Sequence, residues 1–185
     1  MTSNMETTGA NAELIVEAVV ENLGLKQKLF ADLEAASSAT CILATNTSSL
    51  PVSAIGADLK DKSKFGGLHF FNPVPMMKLL EVVKGDDTSD ATFEAMLAWG
   101  QGKVRIHALH LMHFFSNTVK FQLGKAMDKT IVKCIDTPGF IVNRLLVPYL
   151  MEAIRLVERG HASKEDVGMY INYILCPWRK LKFAV

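Results

Sequence analysis

Apolar positions along this chain fall into two kinds of pattern, short β-branched runs and longer stretches at helical spacing. Leu14-Ile-Val-Glu-Ala-Val-Val20 is a compact apolar run of the kind buried in a parallel sheet. Leu23, Leu29, Phe30 and Leu33 then recur at helical spacing and predict an amphipathic helix to about Ala36. Thr40-Cys-Ile-Leu-Ala-Thr45 predicts a second strand, closed by the polar turn Asn46-Thr-Ser-Ser49. Pro51 suits a first helical turn and predicts a short helix through about Leu59. Phe65 to Phe70 predicts a third strand, Asn72-Pro-Val-Pro75 a stiff turn, and Lys78 to Val83 a fourth strand. Asp87 or Thr88 is the expected cap of a helix running to about Trp99, and Thr130 to Ile135 predicts a further strand.

Strands alternating with helices predict an α/β fold with a mostly parallel sheet. After Pro138-Gly139 the period changes. Phe140 to Arg159 carries Ile141, Leu145, Leu146, Leu150, Ile154 and Val157 at helical spacing, and Gly160 suits its end. Asp136-Thr-Pro-Gly139 therefore marks a passage from an α/β domain, residues 1–135, to a helical one, residues 136–185. The helical part has about fifty residues, short for a free-standing core.

Composition narrows the functional classes. The 185 residues are 49% hydrophobic and 21% charged, with a formal net charge of +1. That balance suits a globular chain and gives no electrostatic reason to expect nucleic acid as a partner. No apolar run reaches the ~20 residues a bilayer span needs. The polar start Met1-Thr-Ser-Asn-Met-Glu6 has neither a secretory apolar stretch nor a transit peptide's Arg-rich character, so no targeting peptide is visible. Cys41, Cys134 and Cys176 lie far apart without CxxC spacing and are expected to be reduced.

The candidate chemistry centres on His69 and Glu81, which flank the Asn72–Pro75 turn on successive predicted strands and could meet at a sheet edge. Oxidising a secondary alcohol needs a base for the hydroxyl proton while hydride departs. A histidine of ordinary pKa ~6.5 suits that task. A carboxylate on its other nitrogen would fix the tautomer and stabilise the imidazolium. By residue type alone, a structural histidine bonded to a core carboxylate is the commoner arrangement.

Four segments resemble the 3-hydroxyacyl-CoA dehydrogenase family, and they occur in the family's order. They are Val16-Glu-Ala-Val-Val-Glu-Asn22, Asn46-Thr-Ser-Ser-Leu50, Gly67-Leu-His-Phe-Phe-Asn-Pro-Val-Pro75 and Asp136-Thr-Pro-Gly-Phe-Ile-Val-Asn-Arg144. The following Leu145-to-Arg155 stretch is similar to the short-chain mitochondrial form, and the similarity covers about residues 11–99 and 125–167. The resemblance implies an incomplete Rossmann-type parallel sheet, the C-terminal portion of an NAD-binding domain, followed by the start of an all-α substrate and dimerisation domain. It implies NAD-dependent oxidation of (S)-3-hydroxyacyl-CoA to 3-oxoacyl-CoA in fatty-acid β-oxidation, in the mitochondrial matrix. His69 would be the base and Glu81 its orienter, with Ser48 and Asn143 positioning the acyl-CoA substrate. Glu21, Lys26, Asn46 and Asn72 would contact NAD. A turn or cap serine is the ordinary alternative for Ser48, and a solvated helix-face pair the alternative for Glu21 and Lys26. The intact family is homodimeric, which is not expected of a chain this short.

The chain departs from the family in three places. Nothing before Leu14 supplies the G-x-G-x-x-G loop whose backbone donors hold a pyrophosphate. Residues 101–124 are surplus to the family's spacing. They carry His107, His110 and His113, whose i, i+3, i+6 spacing would turn them around a helix, so no metal site is expected. After Val167 the tail 168–185 lacks the family's glycine-rich continuation. Val104-Arg105 and Phe121-Gln122 can be encoded by GTAAGA and TTTCAG, and Gly168-Met-Tyr170 with GTATGTAT. These strings resemble splice signals, so both segments are expected to be translated intron. The competing functional expectation is a catalytically inactive fragment that binds at most acyl-CoA or a full-length subunit.

Overall fold

A computed structural model describes residues 12–103, 108–112 and 129–175. The chain divides into two compact units, Met1–Ile141 and Val142–Val185.

The first unit is built on a six-stranded sheet. In chain order its elements are β1 (Leu14–Ala18), α1 (Leu23–Ala36), β2 (Ile42–Thr45), α2 (Val52–Ile55), β3 (Phe65–Phe70), β4 (Leu79–Lys84), α3 (Asp90–Gly100), β5 (Ala108–Met112) and β6 (Thr130–Ile135). The spatial order is β5-β1-β2-β3-β4-β6. All neighbouring pairs are parallel except β3 and β4, which the Asn72–Pro75 turn joins as an antiparallel pair. Sheet, helices and alternation agree with the expected incomplete Rossmann-type α/β fold.

Strand side chains alternate between the two faces. Ile15, Leu43, Phe65 and Val83 pack with Phe30 and Leu33 of α1 and with Val52 and Ile55 of α2. Leu14, Val16, Leu68, Leu80 and Val82 pack on the other face with Met96, Leu97 and Trp99 of α3. The same period-two rule places Glu17, Thr45, His69 and Glu81 on the α1 face, toward the carboxyl ends of β1, β2 and β3. Open α/β sheets place ligand-binding groups there.

Several boundaries differ from the sequence expectation, each for a local reason. Pro51 stands before the first turn of α2 as its cap, and that helix stops at Ile55 rather than about Leu59. α3 is capped by Ser89, whose hydroxyl accepts from Thr92 N–H at 3.2 Å, rather than by Asp87 or Thr88. Thr88 is committed elsewhere, donating to the Phe65 carbonyl and accepting from Gly85 N–H. Residues 108–112, inside the segment read as surplus, form β5 and pair along the whole of β1. His110 is therefore in a strand opposite Val16 and not on a helix face; His107 and His113 lie outside the described residues.

The second unit contains α4 (Val142–Glu158) and α5 (Lys164–Leu175). α4 begins two residues later than the periodicity suggests, because Phe140 has φ +49° and cannot be helical. Gly160, at φ +69°, ends it as expected, with His161 N–H bonded to the Leu156 carbonyl at 3.0 Å. Ser163 caps α5 through a bond from Asp166 N–H, and the helix runs through Gly168 into the tail read as atypical. α4 buries none of its residues, and Leu145, Val147, Ile154, Met169 and Tyr173 are exposed.

Gly67 sits where β3 crosses β4 and α2. A Cβ there would lie 2.8 Å from Val83 Cβ and 3.0 Å from Val52 Cγ2, both on stiff β-branched side chains. Gly67→Ala is expected to destabilise the first unit by about 1–3 kcal/mol in urea unfolding, with near-parental stability as the contrary result.

Candidate active site

His69 and Glu81 are direct cross-strand partners in the antiparallel β3–β4 ladder. Directly opposite residues bring their Cβ atoms within ~4.5–5.5 Å, so the pairing register itself builds the dyad. His69 Nδ1 and Glu81 Oε2 are 2.6 Å apart. Both residues are buried, at 4% and 0% exposure. The two strands are interior to the sheet, so the pair meets at the carboxyl margin and not on an edge strand.

Two further groups hold the dyad. Ile141 N–H donates to Glu81 Oε1 at 3.1 Å, so each carboxylate oxygen has a partner. The His69 ring packs against Phe71, at 4.5 Å between centroids, and Phe140, at 5.6 Å. Phe140 adopts a backbone conformation unusual for a bulky residue, held in place by its burial beside His69. Neither Phe140 nor Ile141 stood out in the sequence as a site residue; Phe140 directly follows the Thr-Pro-Gly turn.

The remaining candidate residues divide. Asn46 directly follows β2 and accepts from Phe70 N–H at 2.9 Å through its side-chain oxygen, linking it to the residue after His69. Ser48 is exposed on the turn after β2, and its N–H donates to Glu21 Oε1 at 2.6 Å. Asn72 is exposed and precedes a cis proline. Lys129 clamps that turn by donating to the carbonyls of Val74 and Met77, each at 2.6 Å, and burial pushes its ammonium below the ordinary lysine range. Asn143 lies in the first turn of α4, in the second unit.

Glu21 and Lys26 are not a pair on a solvated helix face. Lys26 is fully buried, and its ammonium lies 2.6 Å from Glu17 Oε1, 3.3 Å from the Val19 carbonyl and 3.8 Å from Glu21 Oε2. Glu17, also fully buried, accepts from Val19 N–H and from Thr45 Oγ1, the latter at 2.7 Å. Glu17 carries no signal in the raw pattern, where it interrupts an apolar run. Only the face assignment, Ile15 and Glu17 together toward α1, could have paired it with Lys26.

The described residues offer polar groups at the carboxyl ends of β1 and β2, in Glu21, Asn46 and Ser48, where the nicotinamide end of a dinucleotide would fit. They include no glycine loop for its pyrophosphate. Among them no group of three or more His, Cys, Asp or Glu residues could hold a metal, and no helix is long and apolar enough to cross a membrane.

A doubly wound α/β sheet with a histidine–carboxylate pair at its ligand-facing margin, followed by a helical unit, is a Rossmann-type arrangement. The chain belongs to the 3-hydroxyacyl-CoA dehydrogenase family. Residues 1–110 match that family's NAD binding domain and residues 139–181 its C-terminal domain, the second match reaching beyond Val167. A probable 3-hydroxyacyl-CoA dehydrogenase of Caenorhabditis elegans is 52% identical over 91% of this chain and 47% of its own length. The human mitochondrial hydroxyacyl-coenzyme A dehydrogenase is 48% identical over 85% of this chain and 42% of its own. The solved 3-hydroxybutyryl-CoA dehydrogenase of Escherichia coli shares 34% identity with a TM-score of 0.73, covering 92% of this chain and 31% of that one. The chain thus spans about half the length of the curated relatives it matches.

Two measurements check the buried groups. Lys26→Met leaves the Glu17 carboxylate buried without its counter-ion and is expected to cost about 3–5 kcal/mol in urea unfolding; the Glu17→Gln/Lys26→Met pair should recover most of that loss. Burial pushes the Cys41 thiol up to about 11, and burial followed by the charges of Glu81 and Asp136 pushes Cys134 up to about 12. Both are then neutral thiols at pH 8, since a raised pKa keeps the proton on until higher pH. Iodoacetamide at pH 8 should spare the buried Cys41 and the partly buried Cys134 in the folded chain and modify both in urea; rapid labelling of either without denaturant contradicts a raised thiol pKa.

Proposed function

We propose that this chain carries the proton-transfer half of an NAD-dependent 3-hydroxyacyl-CoA dehydrogenase site, oxidising (S)-3-hydroxyacyl-CoA to 3-oxoacyl-CoA. The observation that carries this reading is the 2.6 Å contact between His69 Nδ1 and Glu81 Oε2. With Nδ1–H donated to the carboxylate, Nε2 is left as the basic nitrogen, ready to take the proton of the substrate hydroxyl. As the imidazolium forms, Glu81 stabilises it, and Ile141 N–H keeps the carboxylate from rotating away. Ser48, exposed on the turn after β2, positions the substrate oxygen, and Asn143 is the second positioning group by family likeness. The phenyl rings of Phe71 and Phe140 shield the His69 ring from water.

NAD, when bound, supplies the hydride acceptor. Asn46 and Asn72 would hold its nicotinamide end, with Glu21 beside them. The names of the mammalian relatives support a mitochondrial location, and the matrix with β-oxidation is the setting we propose. Residues 1–135 and 136–185 are assigned as nucleotide-binding and helical substrate portions, the second contributing to a homodimer in full-length members.

A second reading rests on the exposed apolar residues of α4 and α5. In that account the chain is catalytically inactive and binds at most acyl-CoA or a full-length subunit. Acetoacetyl-CoA and NADH with the purified chain separate the two. On the leading reading NADH is consumed, His69→Gln lowers the rate ~10²–10⁴-fold, and Glu81→Gln lowers it by less than His69→Gln. Absence of both NADH binding and turnover in the parent chain rejects the leading reading in favour of the second.

A further inference from the structure

Glu21 has more hydrogen bonds to protein than a ligand contact needs. Its two carboxylate oxygens each lie 3.0 Å from the Thr47 hydroxyl, and Oε1 also accepts Ser48 N–H at 2.6 Å. Thr47 is buried, and its Oγ1 in turn accepts Leu50 N–H at 3.0 Å. One carboxylate on the segment after β1 therefore organises the four-residue turn after β2. Hydrogen bonds to a charged acceptor are about twice as strong as neutral ones, so this bond is a strong restraint on the Ser48 backbone.

Behind Glu21 lies the buried ammonium of Lys26, 3.8 Å from Oε2 but closer, at 2.6 Å, to Glu17. Lys26 has no exposed surface. Its ammonium is divided between a carboxylate that neutralises it and one that it steadies. Were Glu17 neutral, the lone buried cation would draw Glu21 inward, away from Thr47 and Ser48.

We propose that Glu21 is a positioning residue for Ser48, fixing the Thr47–Leu50 turn from one side, and that Lys26 is the internal counter-ion that holds Glu21. The importance given to Ser48 rests on the functional reading above; the geometry does not.

The test is an amide NMR comparison on the full chain without ligand. A short bond to a carboxylate deshields the donated proton, so the Ser48 amide of the parent should lie downfield. Glu21→Gln should move it upfield and speed its exchange with D2O by about tenfold or more, with Leu50 N–H following. Amides in the β3–β4 ladder should keep their shifts, which a general loosening of the fold would not allow. Glu17→Gln touches neither Glu21 nor Ser48, yet should move the Ser48 amide in the same direction. A Ser48 amide unmoved by Glu21→Gln overturns the proposal, as does a disturbance spread equally through β3 and β4. Lack of turnover by the parent chain rejects only the functional reading, because the amide shift is read without substrate or NADH.

Discussion

Two carboxylates, Glu17 and Glu81, are withdrawn from water on one, largely apolar, face of the sheet. An unpaired carboxylate in such surroundings costs several kcal/mol, so each must be met by donors from other elements. Glu81 is met by His69 across the β3–β4 ladder and by Ile141 N–H from the segment after β6. Glu17 is met by Lys26 from α1, by Thr45 from β2 and by its own neighbour Val19 N–H. The elements that gather at the carboxyl margin of the sheet are thus tied by ionic demand as well as by apolar packing. Asp136 extends the same logic, its carboxylate accepting the N–H groups of Val52 and Ser53 at 2.9 and 2.7 Å and so fixing the start of the linker that leads to Phe140.

How much of this was legible in the sequence follows from what each feature depends on. The strand Phe65–Phe70 and the helix Leu23–Ala36 were read with their bounds, because local period and composition agree there. His69 and Glu81 were legible as a pair because a short turn between strands fixes the register, and register sets who faces whom. Caps were harder. Thr88 and Ser89 are equivalent as cap residues by type, and tertiary demand for Thr88 at the Phe65 carbonyl decided between them. β5 was not anticipated, because nothing in Ala108–Met112 marks a strand until β1 offers it a free edge to pair along.

The buried Glu17–Lys26 pair shows where sequence reading goes astray most instructively. A charged residue in a strand-like run and a lysine in a helix are separately unremarkable, and the lysine reads as solvated. Only when Ile15 and Glu17 are assigned to the α1 face does the nine-residue separation become a cross-layer contact. Fold class is carried by apolar period, which is local, whereas ion pairing across layers is carried by facing geometry, which is not.

The dyad also explains the unusual backbone at Phe140. Pro138 and Gly139 turn the chain after β6, and Gly139 takes φ +75° at little cost. Phe140 takes φ +49°, which costs a bulky residue of order 1–3 kcal/mol. That conformation lets two things happen in consecutive residues, the phenyl ring packing against His69 and the Ile141 N–H reaching Glu81. Both contacts thus come from adjacent residues of one short stretch of chain. Strain at Phe140 therefore goes together with the contacts that hold Glu81 oriented beside His69. Glycine at this position would relieve the backbone and remove the ring, so a phenylalanine in the left-handed region belongs to the packing of the His69–Glu81 pair as well as to the turn.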